Sequence, residues 1–96
     1  MRVLATYTTK TGKGRSKKVK TTHIIQHLDA FYLSEAENVF NINAFTNEPL
    51  SYICKITPRR KTGGIYCDKI DRERFICKYK AALNGQYETF EIFDLN

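Results

Sequence analysis

Residues 2–9 read RVLATYTT and residues 17–28 read KKVKTTHIIQHL, and these two stretches predict a pair of β-strands. Both are rich in β-branched and aromatic residues, a composition typical of β-strands. Between them lies TGKGRS at 11–16, with two glycines and no apolar residue, as expected for a hairpin loop. Two strands joined by one short loop predict an antiparallel pair.

After the second strand, the sequence predicts a helix that begins at Ser34. Ser34 and Glu37 have the spacing of a capping box, in which each side chain accepts a hydrogen bond from the otherwise unpaired backbone N–H of the other residue. Apolar residues then recur near helical spacing, at Ala36, Val39, Phe40 and Ala44. Pro49 forbids continuation, so the helix is expected to end before residues 46–49.

Three further strands are predicted in the second half of the chain. Residues 51–57, 74–83 and 86–93 each alternate apolar and polar positions, and 65–67 is expected to begin a return strand. Asn84-Gly85 separates the last two strands and is a strong hairpin signal. The predicted order is ββαβββ. This is an α+β fold, with an antiparallel sheet of about five strands and one helix packed on one face.

Length and composition indicate a single small domain over residues 1–96. A chain of 11.2 kDa has no room for separate cofactor and substrate domains. No apolar run approaches the ~20 residues of a membrane span, and the N-terminus lacks the apolar stretch of a secretory signal. We therefore expect a cytoplasmic protein, in the host cytoplasm if a phage encodes it.

The three cysteines predict neither a disulfide framework nor a metal site. Cys54, Cys67 and Cys77 are odd in number and show no C-x-x-C spacing, so reduced thiols are expected. A zinc ion would need a fourth ligand from His23 or His27. On one strand these two histidines would lie ~13 Å apart, which is too far to share an ion.

The order of elements and several short motifs resemble a small uncharacterised family from gut anaerobic bacteria and their phages. The likeness lies in the aliphatic stretch IIQHLDA at 24–30, the segment YLSEAE at 32–37 and the lysine-rich FICKYKA at 75–81. The resemblance implies an α+β fold and a phage or mobile-element origin. It implies no catalytic residue, because none is known for that family.

The sequence does not predict an enzyme or a cofactor. Residues 12–16 hold glycines and cations, but the spacing of a nucleotide-binding phosphate loop is absent. Asp68, Asp71 and Glu73 alternate with basic residues, so surface ion pairs explain them better than acid–base catalysis. No base is placed by spacing beside a cysteine nucleophile, and no catalytic residue is assigned.

The charge distribution predicts a nucleic-acid partner. Sixteen basic residues against ten acidic ones give a net charge of +6. Cations cluster in loops 10–18 and 59–64 and along the outward face of the predicted strand at 74–80, where phosphate contacts need no sequence motif. Tyr66 is the candidate for stacking on an unpaired base, since Tyr7, Tyr52 and Tyr79 are expected to point inward. The predicted binding residues are Lys10, Lys13, Arg15, Lys17, Lys18, Arg59, Arg60, Lys61, Tyr66, Arg74, Lys78 and Lys80.

The competing interpretation is a module that docks on a host protein. Ile53 and Ile76 are apolar residues on otherwise polar faces of predicted strands, as expected for a protein contact. Exposed strand edges would also let two copies pair into a homo-oligomer. Both interpretations place the function in binding rather than in chemistry.

Overall fold

The structure is a computed structural model that describes residues 1–12, 18–28, 30–35, 41–56 and 69–96. The described residues form five strands and one helix, so the predicted α+β class is confirmed. The elements are β1 (Arg2–Thr11), β2 (Lys18–His27), β3 (Ala30–Ser34), β4 (Tyr52–Ile56), α1 (Lys69–Leu83) and β5 (Thr89–Ile92). All strands pair antiparallel in one sheet, in the order β4-β3-β2-β1-β5. The predicted first hairpin is the β1–β2 pair, and the strands predicted at 51–57 and 86–93 are β4 and β5.

The prediction that a helix begins at Ser34 is wrong. Ser34 ends β3, where it pairs with His23 of β2 and Tyr52 of β4, and its side chain is fully buried. Residues 30–34 are buried on both faces of the sheet, so sheet pairing outweighs the local capping signal. Residues 36–40, which carry most of the predicted helical pattern, lie outside the described residues, and Ala44 lies in a turn.

The predicted strand at 74–83 is also wrong, because these residues belong to α1. Phe75, Ile76, Tyr79 and Leu83 have helical spacing and pack against the sheet. Ile76 is only 1% exposed, so it is a core residue and not part of an exposed protein contact. The alternation of apolar and polar residues in this stretch fits a strand as well as a helix. The helix forms because it packs these four apolar side chains together against the sheet.

Asn84-Gly85 ends the helix and does not form a β-hairpin. Both residues adopt positive φ, 52° and 75°, and the Gln86 N–H donates to the Leu83 carbonyl at 3.0 Å. A left-handed backbone is required at a helix C-terminus as well as in a tight hairpin, so the same dipeptide serves either. The order of described elements is therefore ββββαβ, with α1 between β4 and β5.

A chain of stacked aromatic rings fixes α1 on the sheet. The closest contact is Phe31 of β3 against Phe75, with ring centroids 4.3 Å apart and the planes nearly parallel. Tyr79 meets Tyr7 of β1 at 5.8 Å, and Tyr7 stacks on Phe90 of β5 at 5.5 Å. The aromatic rings of the helix therefore contact β3 and β1, and Phe90 of β5 extends the chain of rings within the sheet.

Only some of the side chains that were expected to point into the core do so. Tyr7 is buried, and Phe90 packs against the main core as predicted. Tyr52 is 38% exposed and Ile92 is 45% exposed, because they lie on the edge strands β4 and β5, where one flank has no neighbouring described strand. Tyr79 does pack inward, but from the helix and not from a strand.

Raising the pH above 10 should destabilise the fold through Tyr79. Burial raises the pKa of the Tyr79 hydroxyl above its ordinary value of 10.0, and the hydrogen bond with Tyr7 raises this pKa further. The folded chain then holds the proton more tightly than the unfolded chain. The contribution to the free energy of unfolding is complete below pH 10 and decreases as the pH rises beyond it. Urea denaturation at about pH 9 and about pH 11 should show a smaller loss for Tyr79→Phe than for the wild type. Equal losses would contradict this assignment.

Candidate nucleic-acid interface

Strands β1 and β2 extend beyond the other strands of the part of the sheet that the structure describes. β5 pairs with β1 only from Ala5 to Thr8, and β3 pairs with β2 only from His23 to His27. Among the described residues, 9–11 of β1 have no strand neighbour except β2, and 18–22 of β2 have no strand neighbour except β1. We call these residues the arm. Lys18 lies five residues before His23, so the arm extends roughly 17 Å past β3, and Thr11 lies three residues after Thr8, so it extends roughly 10 Å past β5.

The arm is densely basic. Its described residues include Lys10, Lys18 and Lys20, all exposed. The sequence between the two strands adds Lys13, Arg15 and Lys17, so residues 10–20 hold six cations and no acid. The positions of Lys13, Arg15 and Lys17 lie outside the described residues, and their role in binding stays a prediction.

Lys20 belongs to this surface, although the sequence did not single it out. Lys20 falls within the strand predicted at 17–28, and in the structure it lies in β2, in the part that belongs to the arm. The sequence feature that indicates Lys20 is its spacing from Lys18: residues two apart lie on one face of an extended chain. Register places them on the face of Thr9, while Lys10 pairs with Val19 on the opposite face.

Two carboxylates flank the base of the arm. The Lys10 Nζ lies 3.7 Å from Glu88 Oε2 on the β5 side, and the Lys20 Nζ lies 2.8 Å from Glu35 Oε1 on the β3 side. The hydrogen bond and the charge of Glu35 raise the pKa of Lys20 above its ordinary value. Such exposed pairs contribute only about 0–1 kcal/mol each, so a phosphate can replace the carboxylate.

The three cations expected in one row along a strand lie on different sides of α1. Arg74 and Lys78 are one helical turn apart and exposed. Lys80 lies about 200° around the helix from Lys78. Its Nζ lies 5.4 Å from the centroid of Phe90 and 6.0 Å from that of Tyr87. The expected row is therefore wrong, because the segment is helical, and Lys80 alone of the three lies beside β5.

Four of the predicted binding residues belong to the second basic loop at 59–64 or follow it closely. Arg59, Arg60, Lys61 and the stacking candidate Tyr66 lie outside the described residues. Their convergence with the arm into one electropositive surface stays a prediction.

A polar cleft lies at the base of the arm, beside the end of α1. Its volume is about 220 Å³. It is lined by Thr9, Lys10, Gly85, Gln86, Tyr87 and Glu88. Two of these residues, Thr9 and Lys10, belong to the arm as well. The cleft was not predicted, because it depends on α1 ending next to β1, and residues 74–83 were assigned to a strand.

The two histidines make structural hydrogen bonds. The His23 Nδ1 shares a hydrogen bond with the Thr6 hydroxyl at 2.9 Å, and the His27 Nε2 donates to the Asn47 carbonyl at 3.1 Å. Within the described ranges, no three His, Cys, Asp or Glu side chains are grouped to hold a metal ion. In the same ranges, no helix has the length and apolar character needed to cross a membrane.

The opposite end of β2 carries an ordered turn at residues 41–51. The Asn43 side chain accepts hydrogen bonds from the backbone N–H groups of Phe45, at 2.9 Å, and Thr46, at 3.3 Å. The contact of His27 with Asn47 ties the turn to the sheet. The Phe45 side chain is 100% exposed. Lys18 and His27 are nine residues apart in one strand, so the turn and the tip of the arm are separated by roughly 30 Å.

Comparisons of the chain with protein-family models, curated proteins and solved structures each found no match. The resemblance to the family from gut anaerobes and their phages therefore stays a prediction. Function must be inferred from the arm, the cleft and the turn themselves.

Proposed function

We propose that the chain is a small non-enzymatic nucleic-acid-binding protein that uses the arm as its main contact. The observation that carries this proposal is the arm itself, a two-stranded ribbon that projects from the sheet and holds only basic charged residues among 10–20. A two-stranded ribbon is one of the few protein elements that fit the DNA major groove, which is ≈12 Å wide and ≈8.5 Å deep. An arm that extends roughly 17 Å past β3 and roughly 10 Å past β5 is long enough to reach the floor of that groove.

The register of the arm suits contact with both walls of a groove. Lys18 and Lys20 lie on one face of the ribbon, and Lys10 lies on the other. A ribbon inserted edgewise would therefore present cations to the phosphates on each side. Such contacts supply affinity and position the protein without reading sequence.

Fluorescence anisotropy with labelled duplex and single-stranded oligonucleotides, measured over a series of salt concentrations, tests the proposal. Between three and six phosphate contacts on a duplex predict a slope of about −3 to −5 in a plot of log affinity against log salt. Absence of binding at low salt, or binding with a slope near zero, would contradict the proposed function.

A second candidate function, docking on a host protein, is favoured by Phe45. A fully exposed aromatic ring offers a large apolar surface for burial, and the turn that carries it has a backbone fixed by hydrogen bonds and so little backbone freedom to lose on binding. Strand addition is less favoured, because β4 has only five residues and its register shift leaves Ile53 without a partner residue in β3. If the oligonucleotides do not bind, a host protein that binds the wild type and loses affinity for Phe45→Ala would support this candidate.

A further inference from the structure

We propose that the cleft at the base of the arm binds one unpaired nucleobase of the nucleic acid that the arm holds. This inference rests on the proposed function and deepens it by naming a second chemical group that is recognised. Thr9 and Lys10 belong to both the arm and the cleft, so a nucleic-acid strand bound along the arm passes the mouth of the cleft.

The size of the cleft fits a single heterocycle. A volume of about 220 Å³ corresponds to roughly seven water molecules in the liquid. Pockets for drug-sized ligands occupy ≈300–1,000 Å³, so a whole nucleotide with its sugar and phosphate would not be enclosed. The sugar and the phosphate would stay outside, beside Lys10.

Tyr87 supplies an aromatic surface that is already ordered. Its ring meets Phe90 edge-on at 5.3 Å, and the Nζ of Lys80 lies 6.0 Å from its centroid. A partly buried ring held by these contacts loses little side-chain freedom when a base stacks on it. The neighbouring Gly85 leaves room, because a Cβ at this position would meet no atom within 4 Å.

The polar walls of the cleft match the edges of a base. The Gln86 amide offers both a donor and an acceptor, and the Glu88 carboxylate accepts. Recognition of unpaired bases combines such hydrogen bonds with aromatic stacking. When a phosphate replaces Glu88 as the partner of Lys10, the carboxylate becomes available to accept from an amino group of the base.

The test compares two duplexes of equal charge, each with a three-nucleotide single-stranded overhang. One overhang carries bases, and the other is built from abasic sugar-phosphate units. The base-bearing overhang should bind the wild-type chain about 5- to 100-fold more tightly, at an unchanged salt slope. Tyr87→Leu should remove this difference and keep the affinity for the abasic overhang.

Gln86→Ala is the second variant, because Gln86 is exposed and its truncation leaves the aromatic packing intact. This variant should reduce the preference for the base-bearing over the abasic overhang several-fold. Its thermal denaturation should match that of the wild type. The inference would be overturned if the wild type bound both overhangs equally. It would also be overturned if Tyr87→Leu and Gln86→Ala kept the wild-type preference for the base-bearing overhang. In either case the arm would remain as the binding element. Absence of binding to either duplex would instead overturn the proposed function on which the inference rests.

Discussion

Phe31→Ala should lower the free energy of unfolding by about 3–5 kcal/mol, a large part of the ~5–15 kcal/mol that stabilises a domain of this size. The Phe31 ring is 1% exposed and stacks on Phe75 at 4.3 Å, which is the closest of the aromatic contacts between the sheet and α1. Its removal leaves a cavity under the helix that the surrounding strands cannot fill. Urea denaturation followed by far-UV circular dichroism measures the loss.

Phe45→Ala is the matched control, since it makes the same chemical change at a side chain that is fully exposed. The free energy of unfolding should change by no more than about 0.5 kcal/mol, because the ring contributes no buried surface. Similar losses in the two variants would contradict the packing of α1 on β3. A large loss in Phe45→Ala alone would show that the turn at 41–51 is packed differently.

The strands were predictable where local pattern and tertiary pairing agree. The stretches at 2–9 and 17–28 carry strand-forming residues on both sides of a glycine loop, and they pair as expected. Errors arose where one local signal serves two structures. Ser34 has the spacing of a helix cap and ends a strand, and Asn84-Gly85 has the signature of a hairpin and ends a helix. Burial decides such cases, and burial depends on residues that are distant in the sequence.

The sequence predicted the basic hairpin of the candidate site, which follows from charge alone, but not the parts that depend on how the helix packs. Lys10 and Lys18 were expected on one basic hairpin, and they lie on the two strands of the arm. Lys80 was expected beside Lys78 and lies on another side of the helix, over Tyr87 and Phe90. The cleft was missed, because its lining combines the end of β1 with residues that follow α1. Contacts of this kind appear only once the position of the helix is known.

Reversing charge on the arm should weaken nucleic-acid binding far more than reversing the same charge on the helix. Lys18→Glu/Lys20→Glu and Arg74→Glu/Lys78→Glu each change the net charge by −4, from +6 to +2. At equal net charge, any difference between the two variants reports where the nucleic acid lies. For a duplex in moderate salt, we expect a loss on the order of 100-fold for the arm variant and under about 5-fold for the helix variant.

The salt dependence separates loss of contacts from loss of general attraction. Removing two phosphate contacts should reduce the steepness of the log–log slope by about 2 in the arm variant, whereas the slope of the helix variant should stay close to that of the wild type. Both variants should remain folded: Arg74 and Lys78 are exposed, and the Lys20–Glu35 pair is solvent-accessible and weak. Equal losses in the two variants would show that only net charge matters, and a larger loss in the helix variant would move the interface to the outer side of α1. Either result would remove the arm from its proposed role, because that role depends on where the positive charge lies.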